Sequence, residues 1–240
     1  FGNSIKQLAK KDDKIICVTA AMEIGTGITP FIKDFPERYI DVGIAEEHAV
    51  TYSAGLSAAG YKVFVPIYST FMQRSYDHIF HDALLQNLPL VYCMDRAGLV
   101  GPDGPTHHGV FDIAFMSTLP GMIVTAPKDG DELKNLLATG IYSGKNFSIR
   151  YPKTSCVQFN EDANYKILDI GSWETLINGQ NTAIIAVGSM VNMVMESYNE
   201  IVEGVNFNPT IINARFIKPF DVDMLNNICS SHDHIVTIEE

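Results

Sequence analysis

Short apolar runs alternate with helix-patterned segments along the first two thirds of this 240-residue chain. The runs are hydrophobic at consecutive positions instead of alternating apolar and polar residues, which is typical of strands buried on both faces of a parallel sheet. The pattern therefore predicts an α/β fold of three layers, with a mostly parallel sheet between helices. The predicted strands lie at 14–22, 61–69, 88–97, 121–129 and 147–153.

The alternation is lost between residues 156 and 178, where polar and apolar residues mix without a period. We interpret 156–178 as a linker that packs over the surface. A second α/β pattern follows and breaks off at Glu240, where a strand should end. The sequence thus predicts a first domain over 1–155 and a partial second α/β domain over 179–240.

The composition, 46% hydrophobic and 19% charged, is that of a globular protein with a sizeable core. The four cysteines are widely spaced, which predicts buried thiols in a reducing compartment. No apolar run approaches the length of a membrane span, and the lack of an initiator Met or signal peptide predicts an excised or processed chain. The net charge of −11 argues against nucleic acid as a partner.

Polar or glycine-rich segments follow several predicted strands, and parallel sheets bind ligands beyond the carboxyl ends of their strands. The segment 95–109 combines Arg96, Asp103, His107 and His108 with four glycines, which let a backbone approach a ligand closely. A plain surface loop with solvated charges is the alternative. The adjacent histidines lack the spacing of metal ligands, so no metal site is predicted in this chain. Dinucleotide, phosphate-loop and nucleophile-elbow motifs are absent as well.

The run DVGIAEEHAV at 41–50 places Glu46, Glu47 and His48 among small apolar residues. A charged group is costly in such surroundings unless it is paired or used. Helical spacing puts each glutamate on a small apolar face, and both lie in the first turn of a predicted helix, where the dipole favours negative charge. The pattern does not rank them. Either they are helix-start residues, or one is a buried carboxylate that exchanges a proton with a ligand nitrogen.

Five segments in order, DVGIAEEHAV, IYSTFMQRSYDH, DRAGLVGPDGPTHHG, SIRYPK and ARFIKPFD, carry a family resemblance. Together they closely resemble the 1-deoxy-D-xylulose 5-phosphate synthases, which are thiamine-diphosphate-dependent enzymes of the transketolase superfamily. The segment GIAEEH alone would indicate only the superfamily, whereas DRAGLVGPDGPTHHG and IYSTFMQR are more specific. The resemblance implies a pyrimidine-binding domain followed by the opening part of a C-terminal domain.

The resemblance implies a transferase that condenses pyruvate with glyceraldehyde 3-phosphate, releases carbon dioxide and serves isoprenoid, thiamine and pyridoxal synthesis. The implied cofactors are thiamine diphosphate and Mg²⁺, the latter held by an N-terminal domain that this chain lacks. The chain alone is therefore expected to be inactive. The full protein is expected to be a homodimer in the bacterial cytoplasm or an organelle stroma, with neither a nucleic-acid nor a membrane partner.

The resemblance also implies residue roles on the cofactor side. Glu46 matches the catalytic glutamate that hydrogen-bonds N1′ of the cofactor's aminopyrimidine and so promotes its activation. Phe71 matches the residue that stacks on the pyrimidine, and Arg74 matches a cofactor-binding neighbour. Tyr68 lies near both cofactor and substrate in the family pattern. Glu47 is expected to have a structural or dimer-contact role.

On the substrate side, Arg96 and Arg150 match arginines that hold the phosphate of the aldehyde, for which a guanidinium is well shaped. Asp103 and His107 match a catalytic polar pair near the reacting oxygens, where a histidine suits proton transfer. One departure is visible: RYPKT stands where RYPRG is expected, so Lys153 has no assigned role.

Two other interpretations stay open. A transketolase, or the β-type subunit of a 2-oxoacid dehydrogenase, would share the glutamate-bearing helix but is not expected to carry DRAGLVGPDGPTH. A non-catalytic dimerising or regulatory fragment would keep the fold and lack the diphosphate-binding half. A GDG-containing segment upstream in the full gene product would favour the enzyme.

Overall fold

The computed structural model describes residues 1–240, which form eleven strands and ten α-helices. The strands are β1 Ile15–Thr19, β2 Tyr39–Asp41, β3 Lys62–Tyr68, β4 Val91–Asp95, β5 Ile123–Thr125, β6 Phe147–Tyr151, β7 Glu174–Ile177, β8 Thr182–Ala186, β9 Thr210–Asn213, β10 Phe216–Lys218 and β11 His234–Ile238. The α-helices are α1 Gly2–Ala9, α2 Thr29–Asp34, α3 Glu46–Ala58, α4 Ser69–Met72, α5 Tyr76–His78, α6 Asp112–Thr118, α7 Gly130–Ser143, α8 Met190–Glu196, α9 Tyr198–Val205 and α10 Val222–Ser231.

Seven strands form the first sheet, in the order β10-β5-β6-β4-β3-β1-β2. All its pairings are parallel except that of β10 with β5. Every residue of β1, β4 and β6 is buried, which is why these strands read as continuous apolar runs. One apolar core packs α1, α2 and α7 on one face, and a second core packs α3 and α6 on the other. The predicted three-layer, mostly parallel α/β fold is confirmed.

Four strands form a second sheet, in the order β11-β8-β9-β7. Its strands pair in parallel, except for β7, which runs antiparallel to β9. Small apolar clusters cover its two faces. The edge strand β7 lies inside the stretch 156–178, which we had interpreted as a linker. Its four residues are only partly buried or exposed, so they leave no run of apolar positions from which a strand could be predicted.

The apolar stretch 209–216 supplies strands to both sheets. The chain leaves β9 and passes into β10, which pairs with β5 of the first sheet. Phe216 is fully buried there and packs edge-on against Phe147, with ring centroids 6.2 Å apart. Lys218 Nζ donates to the carbonyls of Ser117 and Leu119 at 2.7 and 2.6 Å. The two sheets are thus joined by a shared chain segment.

The stretch 69–84 is helical but changes type along its length. Between α4 and α5 lies a 3₁₀ turn, Gln73–Ser75, and a π-helical turn, Ile79–Leu84, follows α5. Such irregular turns re-aim side chains and are frequent at functional sites. Two further 3₁₀ turns lie at Pro36–Arg38 and Gly101–Asp103. None of the helices has both the length and the apolar character needed to cross a bilayer.

Candidate active site

The first residue of α3, Glu46, is buried, whereas the adjacent Glu47 is exposed. The side chain of Glu46 is 2% exposed. A turn precedes it, in which Gly43 adopts a positive φ of 75° that favours glycine. Asp41 Oδ1 holds this turn by accepting from the backbone N–H groups of Gly43 at 2.9 Å and Ala21 at 2.8 Å. The turn therefore distinguishes two glutamates that helical spacing could not rank.

Arg74 is the charged partner of Glu46, with Nη1 2.7 Å from Oε1. The guanidinium also lies over the ring of Phe71, 4.7 Å from its centroid. Half of the Arg74 side chain is exposed, at 51%, while Phe71 is partly buried. The structure thus brings the three predicted cofactor residues together. A buried carboxylate and an aromatic ring, joined through one arginine, are group types that suit a planar ring with a nitrogen hydrogen-bonding group.

Three aromatic side chains form a cluster next to this pair. Tyr68 and Phe71 stack with centroids 5.9 Å apart, and the ring of His107 lies edge-on to Phe71 at 5.2 Å. His107 and Tyr68 are 6.2 Å apart. Burial raises the pKa of Tyr68, which keeps its hydroxyl protonated. The cluster places the predicted substrate residues His107 and Tyr68 beside the predicted cofactor residue Phe71.

Arg96 follows β4 in a left-handed conformation, with φ of 62°, and its side chain is buried. Its guanidinium lies over the ring of Tyr68 at 3.8 Å and donates to the carbonyl of Gly25 at 2.7 Å. A Cβ on Gly25 would lie 1.5 Å from the Tyr68 hydroxyl, so this position requires glycine. A side chain held in a strained backbone conformation by several contacts is frequent at functional sites.

The loop over 98–109 is closed at its base by two hydrogen bonds, from Gly98 N to Gly109 O at 3.0 Å and from Gly109 N to Gly98 O at 2.8 Å. It carries Asp103, whose Oδ2 accepts from Arg96 Nε at 3.1 Å. His108, in contrast, turns inward, and its Nδ1 accepts from the backbone N–H of Val100. The loop is thus closed by backbone hydrogen bonds, and its Asp103 carboxylate pairs with Arg96.

Lys153 also contacts Asp103, although the sequence assigns this lysine no role. Its Nζ lies 2.6 Å from Asp103 Oδ1. The hydrogen bond from Lys153, joined by that from Arg96, holds the pKa of Asp103 below its ordinary value. The sequence held one indication of a role for Lys153, which is that this lysine stands where the family pattern has an arginine. Arg96 and Lys153 therefore present two cations around one carboxylate.

The carboxyl of Asp95 is buried beside Arg96, with Oδ1 3.2 Å from Nη1. Burial raises the pKa of Asp95 to about 6, and the neighbouring guanidinium opposes the rise without cancelling it. Asp95, Arg96 and Lys153 line a cleft of about 780 Å³ between the two units. Residues of the second unit, among them Ser189 and Met190, form its opposite wall. The predicted substrate residue Arg96 therefore faces an accessible space.

The predicted site residue Arg150 is paired with protein groups. Its side chain is 5% exposed and does not line the cleft. Nε donates to both carboxylate oxygens of Asp112 at 3.0 Å, and Nη2 donates to the carbonyl of Glu240 at 2.8 Å. These bonds occupy the guanidinium with protein groups. The geometry therefore gives no support to phosphate binding by Arg150, and the sequence offered no signal for Asp112.

His78 and His81 lie three residues apart in the helical stretch that follows β3, but they belong to no group of metal ligands. His81 Nδ1 instead lies 2.9 Å from Asp77 Oδ1. Nowhere in residues 1–240 do three or more His, Cys, Asp or Glu side chains form a group that could hold a metal ion.

The chain is 46% identical to the 1-deoxy-D-xylulose-5-phosphate synthase of Aquifex aeolicus (strain VF5) and 48% identical to that of Dictyoglomus thermophilum (strain ATCC 35947 / DSM 3960 / H-6-12). Both alignments cover 100% of this chain but only 38% and 39% of the relatives. The chain therefore spans less than half the length of the curated proteins that it matches. These similarities confirm the resemblance drawn from the five sequence segments.

Solved structures give the same picture of the fold. A structure described as a split gene transketolase, inactive beta4 tetramer, matches with a TM-score of 0.85 at 25% identity, over 100% of this chain and 78% of that one. A transketolase from Pichia stipitis matches with a TM-score of 0.79 over 98% of this chain and 37% of that one, and its 19% identity shows the fold alone. The family model of the transketolase pyrimidine binding domain covers residues 1–157, and that of the transketolase C-terminal domain covers 171–240. The chain belongs to the transketolase family.

Proposed function

We propose that this chain is part of a thiamine-diphosphate-dependent transferase that condenses pyruvate with glyceraldehyde 3-phosphate to 1-deoxy-D-xylulose 5-phosphate and releases carbon dioxide. The relatives that bear this enzyme's name support the reaction, because they match along the whole chain. The observation that carries the proposal is the buried Glu46 carboxylate, paired with Arg74, whose guanidinium lies over the ring of Phe71. Because the chain spans 38% of the Aquifex aeolicus relative, the activity is assigned to the longer protein.

The site residues fit the aminopyrimidine end of thiamine diphosphate. Glu46 offers a buried carboxylate to ring nitrogen N1′, and Phe71 offers a face for stacking. When bound, the cofactor supplies an acidic carbon and an electron sink that protein side chains lack. The role of Glu46 is to hold a proton at N1′, and low exposure strengthens that hydrogen bond. Arg74 keeps the carboxylate paired and oriented.

Arg96 and Lys153 bind the phosphate of the aldehyde substrate at the cleft. Their spacing around Asp103 supports this role, since both cations face the same carboxylate and both line the cleft. A planar guanidinium and an ammonium are suited to phosphate oxygens. Asp103 orients the two cations, and with His107 it stands near the reacting hydroxyl and carbonyl oxygens. His107 serves there as a proton donor or acceptor near neutral pH.

The remaining assignments concern partners and surroundings. Helix α3 exposes one face that carries both small and larger polar or aromatic side chains. Its exposed residues are Glu47, His48, Thr51, Tyr52, Gly55 and Ala58. We assign this face to contact with a second copy in a homodimer. Mg²⁺ and the cofactor diphosphate are assigned to an N-terminal domain, and the protein to the cytoplasm or an organelle stroma.

The proposal is tested by measuring carbon dioxide release from pyruvate by the full-length protein, with and without glyceraldehyde 3-phosphate. We expect release to require thiamine diphosphate and to rise when the aldehyde phosphate is present, with the pentulose phosphate as product. Product from a ketose donor instead of pyruvate would indicate a transketolase. A correctly folded full-length protein with no turnover of either donor would favour the non-catalytic alternative.

A further inference from the structure

A buried ionic cluster beside the proposed site has no part in the function assigned above. Asp112 is 1% exposed and Arg150 is 4% exposed. Arg150 Nε donates to both oxygens of the Asp112 carboxylate, each at 3.0 Å, and Ser69 Oγ donates to Oδ2 at 2.9 Å. The backbone N–H of Ile113 donates to Oδ1 at 2.7 Å. Both oxygens are therefore saturated, as a buried carboxylate needs to be.

The members of this cluster come from three segments that meet at the site. Ser69 begins α4 and immediately follows Tyr68. Asp112 begins α6, directly after the loop that carries Asp103. Arg150 lies on β6, next to β4 in the sheet. The carboxylate of Asp112 is thus bonded to groups on two segments other than its own.

The backbone packs closely at the same point. A Cβ on Gly109 would lie 2.4 Å from Ser69 Oγ and 2.5 Å from the carbonyl oxygen of Arg96. No side chain separates the base of the loop from the start of α4. Small shifts of Ser69 or Gly109 are therefore transmitted between the two segments, because packed interiors have little free space.

We infer that Asp112 is a positioning residue for the proposed site. Its carboxylate, held by Arg150 and bonded to Ser69, fixes the loop that carries Asp103 and His107 against the start of α4. Arg150 acts through Asp112 and not on a substrate phosphate. The inference concerns geometry, and it rests on the proposed function for what the positioned side chains do.

The first test is independent of that function. Hydrogen exchange, followed by mass spectrometry, is compared in the full-length protein and in Asp112→Asn, which keeps the shape but leaves Arg150 without a charged partner. We expect amides of 98–111 and 69–75 to exchange about tenfold faster in the variant. Glu132→Gln alters another buried carboxylate, one that contacts Lys128, and should leave these segments unchanged. Unchanged exchange in Asp112→Asn, or equal acceleration by Glu132→Gln, would overturn the inference.

The second test uses steady-state kinetics of the same full-length variants. Misplacement of the loop should raise KM for glyceraldehyde 3-phosphate about tenfold and leave KM for pyruvate within about twofold. Equal increases in both constants would contradict the positioning role. If the unaltered protein turns over neither substrate, the proposed function fails, and the exchange experiment still decides the role of Asp112.

A third variant covers the case in which Asp112→Asn does not fold. Ser69→Ala removes one hydrogen bond and leaves the pair of Asp112 and Arg150 intact. We expect faster exchange at 98–111 than in the unaltered protein, by a smaller factor. Unchanged exchange in Ser69→Ala would overturn the inference in that case.

Discussion

Arg74 Nη1 lies 2.7 Å from Oε1 of Glu46, although 28 residues separate the two along the chain. The contact joins the start of α3 to the helical stretch that follows β3. Because the same guanidinium lies over Phe71, one cation orients both the carboxylate and the aromatic ring of the proposed cofactor site. A buried carboxylate paired with a half-exposed arginine also leaves room for a ligand to approach the pair.

The first prediction concerns Glu46. Glu46→Gln in the full-length protein should lower the rate of product formation by about 10²–10⁴-fold, because the amide cannot hold a proton at the ring nitrogen as a carboxylate does. Glu47→Gln is the matched control, since it changes the adjacent but exposed glutamate, and it should retain most activity. Initial rates of carbon dioxide release are the measurement. Near-normal turnover by folded Glu46→Gln would refute the assigned role.

The second prediction concerns Lys153. Lys153→Ala removes one of the two cations at Asp103 and should raise KM for glyceraldehyde 3-phosphate about tenfold, with little change in KM for pyruvate. Lys153→Arg keeps the charge and should stay close to the unaltered protein. The measurement is a pair of KM values at saturating co-substrate. A parallel rise in both would count against phosphate binding by Lys153.

The third prediction separates stability from binding at Arg150. Arg150→Ala leaves the buried Asp112 carboxylate without its cation and should lower the free energy of unfolding by about 3–5 kcal/mol. Lys6→Ala breaks the surface pair with Asp34 and should change stability little. Urea titration monitored by circular dichroism measures both. An Arg150→Ala protein of unchanged stability but weakened affinity for the aldehyde phosphate would restore the role implied by the family resemblance.

The fourth prediction concerns pH. Burial raises the pKa of Asp95 from 3.8 to about 6, so between these values the folded state binds more protons than the unfolded state. The free energy of unfolding therefore falls as pH rises through this window, and the contribution of the protonated carboxyl is gone above about pH 6. At about 1.4 kcal/mol per pH unit, the decline amounts to about 3 kcal/mol.

Asp95→Asn should remove this part of the pH dependence. The test compares free energies of unfolding at pH 4 and pH 7 in the unaltered protein and in the variant. Between pH 4 and pH 7 the free energy of unfolding should change by about 2 kcal/mol in favour of the higher pH in Asp95→Asn, relative to the unaltered protein. Identical pH profiles for the two proteins would show that Asp95 does not titrate in this window.

The central strands were predictable because their burial on both faces leaves an unbroken apolar signal. Strand β10 was not assigned to its sheet, because the apolar pattern around Phe216 reports burial but not the partner strand. Glu46 and Glu47 look alike by helical spacing, and the difference lies in the turn at Gly43, which depends on contacts with the distant Ala21. The family motif singled out Glu46, whereas helical periodicity did not distinguish the two glutamates.

Contacts that the sequence does not show also distinguish the surroundings of Arg150 from those of Lys153. Arg150 and Lys153 lie three residues apart in the segment SIRYPK, and residue type alone favours the arginine as a phosphate ligand. The strand buries Arg150 against Asp112, while Lys153 lies beyond the strand end beside Asp103. Which side chain faces the cleft is decided by strand register, which no single residue in the motif reveals.

Strand β10, which pairs with β5, should hold the two parts of the chain together after the backbone between them is cut. A protease that cuts the exposed stretch 155–162 would break the only covalent path through that region, yet the two fragments would share the seven-stranded sheet. The fragments should then remain one particle on a sizing column and separate only in denaturant. The backbone hydrogen bonds between β10 and β5 should therefore keep the two parts of the chain associated after the surface segment between them is cut.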